Sequence, residues 1–425
     1  MKSSFRKIPG SICAPRGFKC GTVFCDIKKL GTGKGSEKGR KDDLALIVSN
    51  APAAVAGMFT TNQVCAAPVE ISRQRAARKV ARVIVVNSGN ANACTGAPGL
   101  RDAEAMTRTA AKALSLNPNQ VLVCSTGRIG VPMPMRNVER GIRACAPRLA
   151  RSASKARQVA GAIMTTDTCR KEIAVELKVG KSTVRIGGIC KGAGMIQPGM
   201  ATMLAFITTD AAIEPIALKR ALKIAVAQSF NRITVDGDMS TNDSVIALAN
   251  GLAKNSKLEI RNSKFQSALN FICLELAKMI VRDGEGTSRF VTLHLCGAQS
   301  NRDAEVAARA VANSSLVRTS WCGGDPNWGR ILCALGYSKA DVDQTIVDVG
   351  YAQSGSRKIL FAFRRGRPTN VALKSLAKIT SAPEFDLHVD LHRGRGEFVL
   401  CAADLTEDYV AFNKGDVSDQ TTLGG

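Results

Sequence analysis

Short apolar runs alternate with segments of helical spacing along most of the chain. LALIV (44–48), ARVIVVNS (81–88) and QVLVCST (120–126) are nearly unbroken apolar stretches of strand length, which predicts buried strands. Between the last two, RDAEAMTRTAAKAL (101–114) sets apolar residues at helical intervals behind an acidic first turn, which predicts a helix. Around 172–189, EIAVELKVGKSTVRIGG reads as a hairpin. A strand is expected at MLAFIT (203–208), then a helix from Glu214 through Gln228 and a long helix around 264–281. Strand–helix alternation resumes and closes on the pair FDLHVDL and EFVLCAADL. No fixed-period repeat is present. The expected class is α/β (α+β), with layered sheets buried between helices.

At 425 residues the chain can bury a large core in two lobes. No apolar run approaches the roughly 20 residues needed to span a bilayer. MKSSFRKIPG is basic without the apolar stretch of a secretory signal, so the cytoplasm is the expected location. The 14 cysteines are scattered with no CxxC pair, and read as reduced, buried small hydrophobes. Charge changes the picture more. Residues 1–201 carry 33 Lys+Arg against 11 Asp+Glu, whereas 202–425 are nearly balanced at 26 and 24. Such a field attracts anions. The basic residues are dispersed, however, and few aromatics interleave with them to stack bases, so a solvated basic surface is expected rather than a specific nucleic-acid site. KKLGTGKGSEKGRKDD (28–43) lacks the GxxxxGK[ST] pattern and reads as a mobile surface insertion.

Histidine chemistry is constrained by supply. The three histidines, His294, His388 and His392, all fall in strand-like runs. In HVDLH, His388 and His392 are four apart and share a strand face, but the Glu of a zinc-protease motif is missing and no Cys cluster lies nearby. No metal site is expected. A G-x-S-x-G elbow is also absent. KGAGMIQPGMATMLAFITTDA (191–211) offers another route. Its Gly- and Pro-rich approach turns abruptly into an apolar strand at Thr202. A threonine hydroxyl facing the preceding carbonyl can attack it, shift the acyl group from N to O and let water cleave the ester. The new α-amine, with a reference pKa of about 8, can then serve as base for its own hydroxyl. Loop-to-strand transitions are common, so spacing alone does not fix this chemistry.

The same segment resembles the cleavage motif of the ornithine acetyltransferase (glutamate N-acetyltransferase) family. Further stretches match that family in order: GMFTTNQVCAAPV (57–69), VVNSGNANACTG (85–96), CSTGRIGVPMPM (124–135), IMTTDT (163–168), SFNRITVDGDMSTNDS (229–244), VRDGEGTSRFV (281–291), GGDPNWGRILCALG (323–336) and DLTEDYVAFN (404–413). The resemblance implies a two-lobe fold like that of certain aminopeptidases, cut at Ala201–Thr202 into chains 1–201 and 202–425, and a heterotetramer of two copies of each. It implies that Thr202 is the nucleophile and that Thr126 and Gly127 form the oxyanion hole. Thr165 (with Thr168 as the next choice), Lys191, Thr202, Glu285, Asn413 and Ser418 would bind substrate.

The implied reaction is ping-pong transfer of acetyl from N2-acetylornithine to glutamate in arginine biosynthesis, with no bound cofactor. Some relatives also use acetyl-CoA for glutamate, which the sequence leaves open. The alternative reading is an N-terminal-nucleophile aminopeptidase or hydrolase using water as acceptor. Gly199 stands where the family has Asn, removing a side-chain amide near the scissile carbonyl, so slower cleavage is expected. GDPNWGR and NRITVDGD read as architecture.

Overall fold

The computed structural model describes residues 5–28, 41–197, 203–254 and 263–414. Within these, nine strands form one sheet: β1 (Phe5–Lys7), β2 (Phe18–Val23), β3 (Leu44–Phe59), β4 (Val80–Asn90), β5 (Val121–Arg128), β6 (Lys171–Val179), β7 (Ser182–Lys191), β8 (Leu204–Thr209) and β10 (Ser244–Ala249). Its order is β1-β6-β7-β8-β10-β3-β4-β5, with β2 also on β3. The second sheet runs β14-β13-β12-β15-β11-β16-β9. Its strands are β9 (Ile233–Thr234), β11 (Phe290–Ala298), β12 (Asp348–Gln353), β13 (Leu360–Arg364), β14 (Arg367–Pro368), β15 (Glu384–Asp390) and β16 (Gly396–Ala403).

The apolar runs are unbroken because both faces of their strands are covered. On β4, Val83 and Val85 pack with residues of α2 (Gly96–Ala113) and α3 (Met135–Cys145). Their neighbours Ile84 and Val86 join the opposite core with α1 (Ala67–Ala76) and α4 (Ala153–Ala162). A third core lies over β6, β7 and β8, built with α5 (Pro215–Ala227) and α6 (Ser263–Arg282). The expected helices at 214–228 and 264–281 are these two. Helix α6 is buried against the first sheet and also against Phe290, Cys401 and Ala403 of the second, so it joins the layers. The second sheet's other face packs on α7 (Asn301–Asn313), α8 (Ser315–Cys322), α9 (Trp328–Gly336) and α10 (Leu373–Thr380). A short α11 (Glu407–Asn413) follows, with the Thr406 side chain accepting from Tyr409 N at its start.

Three features differ from the sequence reading. Residues 204–249, assigned to the second lobe, supply β8 and β10 to the middle of the first sheet. The 28–43 tract is not surface throughout: Asp43 is fully buried and accepts N–H bonds from Cys25 (2.7 Å), Ile27 (2.7 Å) and Lys28 (3.2 Å). A buried carboxylate needs such donors, and the backbone before the Gly/Lys-rich part provides them. Finally, β15 ends at Asp390, and His392 turns away at φ 51° to meet Asp348 (3.1 Å), so HVDLH is not a continuous strand.

Candidate functional site

Strands β7 and β8 are antiparallel neighbours, and Lys191 at the end of β7 pairs with Leu204 at the start of β8. The connection between them therefore departs and returns at one end of the sheet. Its described part is tied down at successive residues. Gly192 N donates to Asp167 Oδ1 (2.7 Å), and Ala193 O accepts from Glu285 N (2.9 Å). Met195 N and Ile196 N both donate to Asp236, at 2.6 and 2.7 Å, and Ile196 O accepts from Val235 N. Gln197 Oε1 accepts from Asn313 Nδ2. On the return, Met203 O accepts from Ser244 N (2.9 Å). Ala201, Thr202 and Gly199, like Ser418, lie outside the described residues.

Thr126 and Gly127 lie in the last three residues of β5, beside Ser88 and Gly89 of the parallel strand β4. Gly127 has φ 129°, and a Cβ there would collide with the backbone of Gly89 and Asn90, so only glycine fits this close approach. Asn242 Nδ2 fixes the strand end by donating to Ser125 O (2.9 Å) and Ala91 O (2.6 Å). Lys191 Nζ then reaches Thr126 Oγ1 at 3.4 Å, a long hydrogen bond. Two residues 65 positions apart in sequence thus meet at these strand ends.

The charges around Lys191 form a graded network. Burial pushes the Lys191 ammonium below its ordinary pKa, and the nearby Asp167 carboxylate, with weaker help from Glu285 and Asp243, opposes that. For Asp167 burial acts upward, but Lys191, Lys171 and the Gly192 N–H together hold it down at about 2. Lys171, fully buried, lies between Asp167 (2.6 Å) and Asp283, whose charges overcome burial and raise it. Asp283 also accepts from the Thr168 N–H and hydroxyl. Thr168 is thereby engaged by protein, whereas the hydrogen bond that Thr165 makes among the described residues runs from its backbone N–H to Asp167 Oδ2 (3.1 Å). Glu285 packs against the 192–197 segment: Asn413 Nδ2 donates to its Oε2 at 2.9 Å, and a Cβ on Gly194 would collide with its carboxylate.

The sequence reading missed Asp167, Lys171, Asp283 and Asp236. Asp167 and Asp283 sit inside the matching stretches IMTTDT and VRDGEGTSRFV, next to residues that were singled out. Asp236 was taken as architecture, and it is, but of the loop leading to Thr202. A separate cavity of about 440 Å³ is lined by Pro9, Ser11, Arg157 and Glu172 among others, and by none of the expected site residues.

The pattern defining the ArgJ family matches residues 26–415. The arginine biosynthesis bifunctional protein ArgJ of Symbiobacterium thermophilum is 46% identical over 409 residues, spanning 96% of this chain and 98% of its own. The glutamate N-acetyltransferase of Methanocaldococcus jannaschii is 43% identical over 415 residues, with 96% and 98% covered. A solved ornithine acetyltransferase complexed with ornithine, from Mycobacterium tuberculosis, is 36% identical over 46% of this chain and all of the solved chain, with a TM-score of 0.42.

Proposed function

The chain belongs to the ArgJ family, and from that premise we propose how its residues carry out acetyl transfer. It is an acetyltransferase of arginine biosynthesis, active as an ornithine acetyltransferase. In our reading the Ala201–Thr202 bond breaks by attack of the Thr202 hydroxyl on the Ala201 carbonyl, followed by hydrolysis of the ester. The freed amine of Thr202 takes the proton of its own hydroxyl as that oxygen attacks the acetyl carbonyl of N2-acetylornithine. The Thr126 hydroxyl and Gly127 N–H hold the developing oxyanion. The C–N bond breaks, the departing α-amine of ornithine takes the proton, and acetyl remains on Thr202. Glutamate's α-amine then attacks this ester, the Thr202 amine passes the proton it loses to Thr202 Oγ as the acetyl–oxygen bond breaks, and N-acetylglutamate leaves the regenerated threonine. No bound cofactor enters the scheme, in which N2-acetylornithine is the acetyl donor.

The observation that carries the reading is the pair of opposite charges beside the loop that precedes Thr202. The Lys191 ammonium lies against Thr126, and the Glu285 carboxylate is held by Asn413. A cation suits the substrate carboxylate and an anion suits the distal ammonium of ornithine. Thr165 is the further substrate contact we favour over Thr168, because Asp283 already engages the Thr168 hydroxyl. Ser418 is assigned a substrate contact from the resemblance alone. We also propose a cytoplasmic assembly of two copies of each fragment; all fourteen cysteines are unbridged, which agrees with a reducing compartment. No helix among the described residues is long and apolar enough to cross a membrane.

Incubation with N2-acetylornithine, with and without glutamate, tests the scheme. Ornithine release should become continuous only when glutamate is present, with stoichiometric N-acetylglutamate. Continuous release of ornithine and acetate without glutamate would instead identify a hydrolase.

A further inference from the structure

Three side chains on the second sheet form a cluster that acetyl transfer does not use. Strands β11 and β15 run parallel with His294 directly beside His388 and Thr292 beside Asp386. Residues His294, Asp386 and His388 alternate with the core residues Leu293, Leu387 and Val389, so all three share the opposite face of the sheet. The imidazoles stack at 4.6 Å between centroids and 7° between planes. Asp386 is only 5% exposed, accepts from Gly355 N (2.9 Å) and stands 3.7 Å from His294 Nε2. His388 Nε2 is shielded from solvent and meets no hydrogen-bond partner among the described residues. A buried ring nitrogen left in that state is costly unless something binds it.

We propose that His294, Asp386 and His388 bind a divalent transition-metal ion of the zinc class. One donor atom from each residue lies within 4.8 Å of the others. Metal–donor bonds of about 2.0–2.2 Å place tetrahedral donors roughly 3.3–3.6 Å apart, so side-chain rotation closes the set. Two imidazoles and one carboxylate leave a fourth position for water, and their composition favours zinc-class ions over calcium or magnesium. The Gly355 N–H on Asp386 is an orienting contact of the kind that metal ligands use. Apolar neighbours flank the pair: Val399 beside His294, and Phe361 over Gly350 beside His388. His294 remains 37% exposed at the side chain, which gives an ion a way in. His392 leaves the strand for Asp348 and stands apart from this cluster. The second imidazole comes instead from β11, and strand pairing between distant segments leaves no local spacing signal.

The test uses full-length protein without a polyhistidine tag, stripped with chelator and titrated with Zn²⁺ by calorimetry and with Co²⁺ by visible absorption. One ion per chain should bind, with ligand-field bands of nitrogen and oxygen donors and a raised melting temperature. His294→Gln, His388→Gln and Asp386→Asn should each weaken binding by more than roughly 100-fold, beyond the usual loss from removing an orienting neighbour. Half-exposed His294 guards against a variant that fails to fold, and its acetyl transfer in metal-free buffer should match wild type. Absence of stoichiometric binding would overturn the proposal. So would binding that survives in His294→Gln, or cobalt spectra with strong thiolate charge-transfer bands.

Discussion

Lys191 and Thr126 each make a demand on their surroundings that can be measured. If the Thr126 hydroxyl is one of two oxyanion donors, Thr126→Ala should lower kcat by roughly 10²–10³ while KM changes little, since the Gly127 N–H persists. An unchanged kcat would remove Thr126 from that role. Asp167 makes a different contribution. Its carboxyl sits at about 2 against an ordinary 3.8, so the charged form is favoured by folding. Stability from this group is complete above about pH 4 and is lost as pH falls toward 2, on the order of 2 kcal/mol in all. Denaturant midpoints measured across that interval should fall with pH in wild type and stay flatter in Asp167→Asn. The variant should also start lower, by roughly 3–5 kcal/mol, because Lys171 loses one of its two anions.

The 192–197 segment is the element on which the site depends, because Asp167, Glu285 and Asp236 each hold one part of it. Gly194 gives Glu285 the space it occupies. Gly194→Ala should therefore displace that carboxylate and weaken acetylornithine use in the same way as Glu285→Gln. Charge-assisted bonds of about 1.5–3 kcal/mol set the loss at roughly 10- to 150-fold. Transfer to glutamate should suffer less, since glutamate carries a carboxylate where ornithine carries its ammonium. Equal losses in both half-reactions, measured by single turnover, would take Glu285 out of ammonium binding. Elements themselves were legible in the sequence: β4, β5, β8, α5 and α6 follow apolar runs and helical spacing that local chemistry dictates. The assembly around them was not. Lys171 is satisfied by Asp283, and the Asp236 clamp reaches back to Met195. His294 finds His388 through strand register. Such pairings depend on how distant segments align, which periodicity does not encode. Asp43 was read as part of a surface tract because its composition is polar, while its burial follows from three backbone N–H groups upstream.

At the scale of the molecule, the proposed cleavage falls between two strands of one continuous sheet. β7 belongs to 1–201 and β8 to 202–425, yet they pair over six residues, and β10 pairs with β3 across the same divide. Helix α6 adds apolar contacts to β6 and β7 from the other side of the cut. The two fragments should therefore migrate together in native gel filtration and separate only in denaturant. The central claim is that Thr202 is both the cleavage residue and the acetyl carrier. Its most direct test is denaturing mass spectrometry after a single turnover with N2-acetylornithine and no glutamate. The account predicts two fragments, the larger beginning Thr-Met-Leu-Ala-Phe and carrying one acetyl group on Thr202 that glutamate removes, with Thr202→Ala remaining a single unacetylated chain. An intact wild-type chain that still transfers acetyl, or an acetyl group on any other residue, would contradict it.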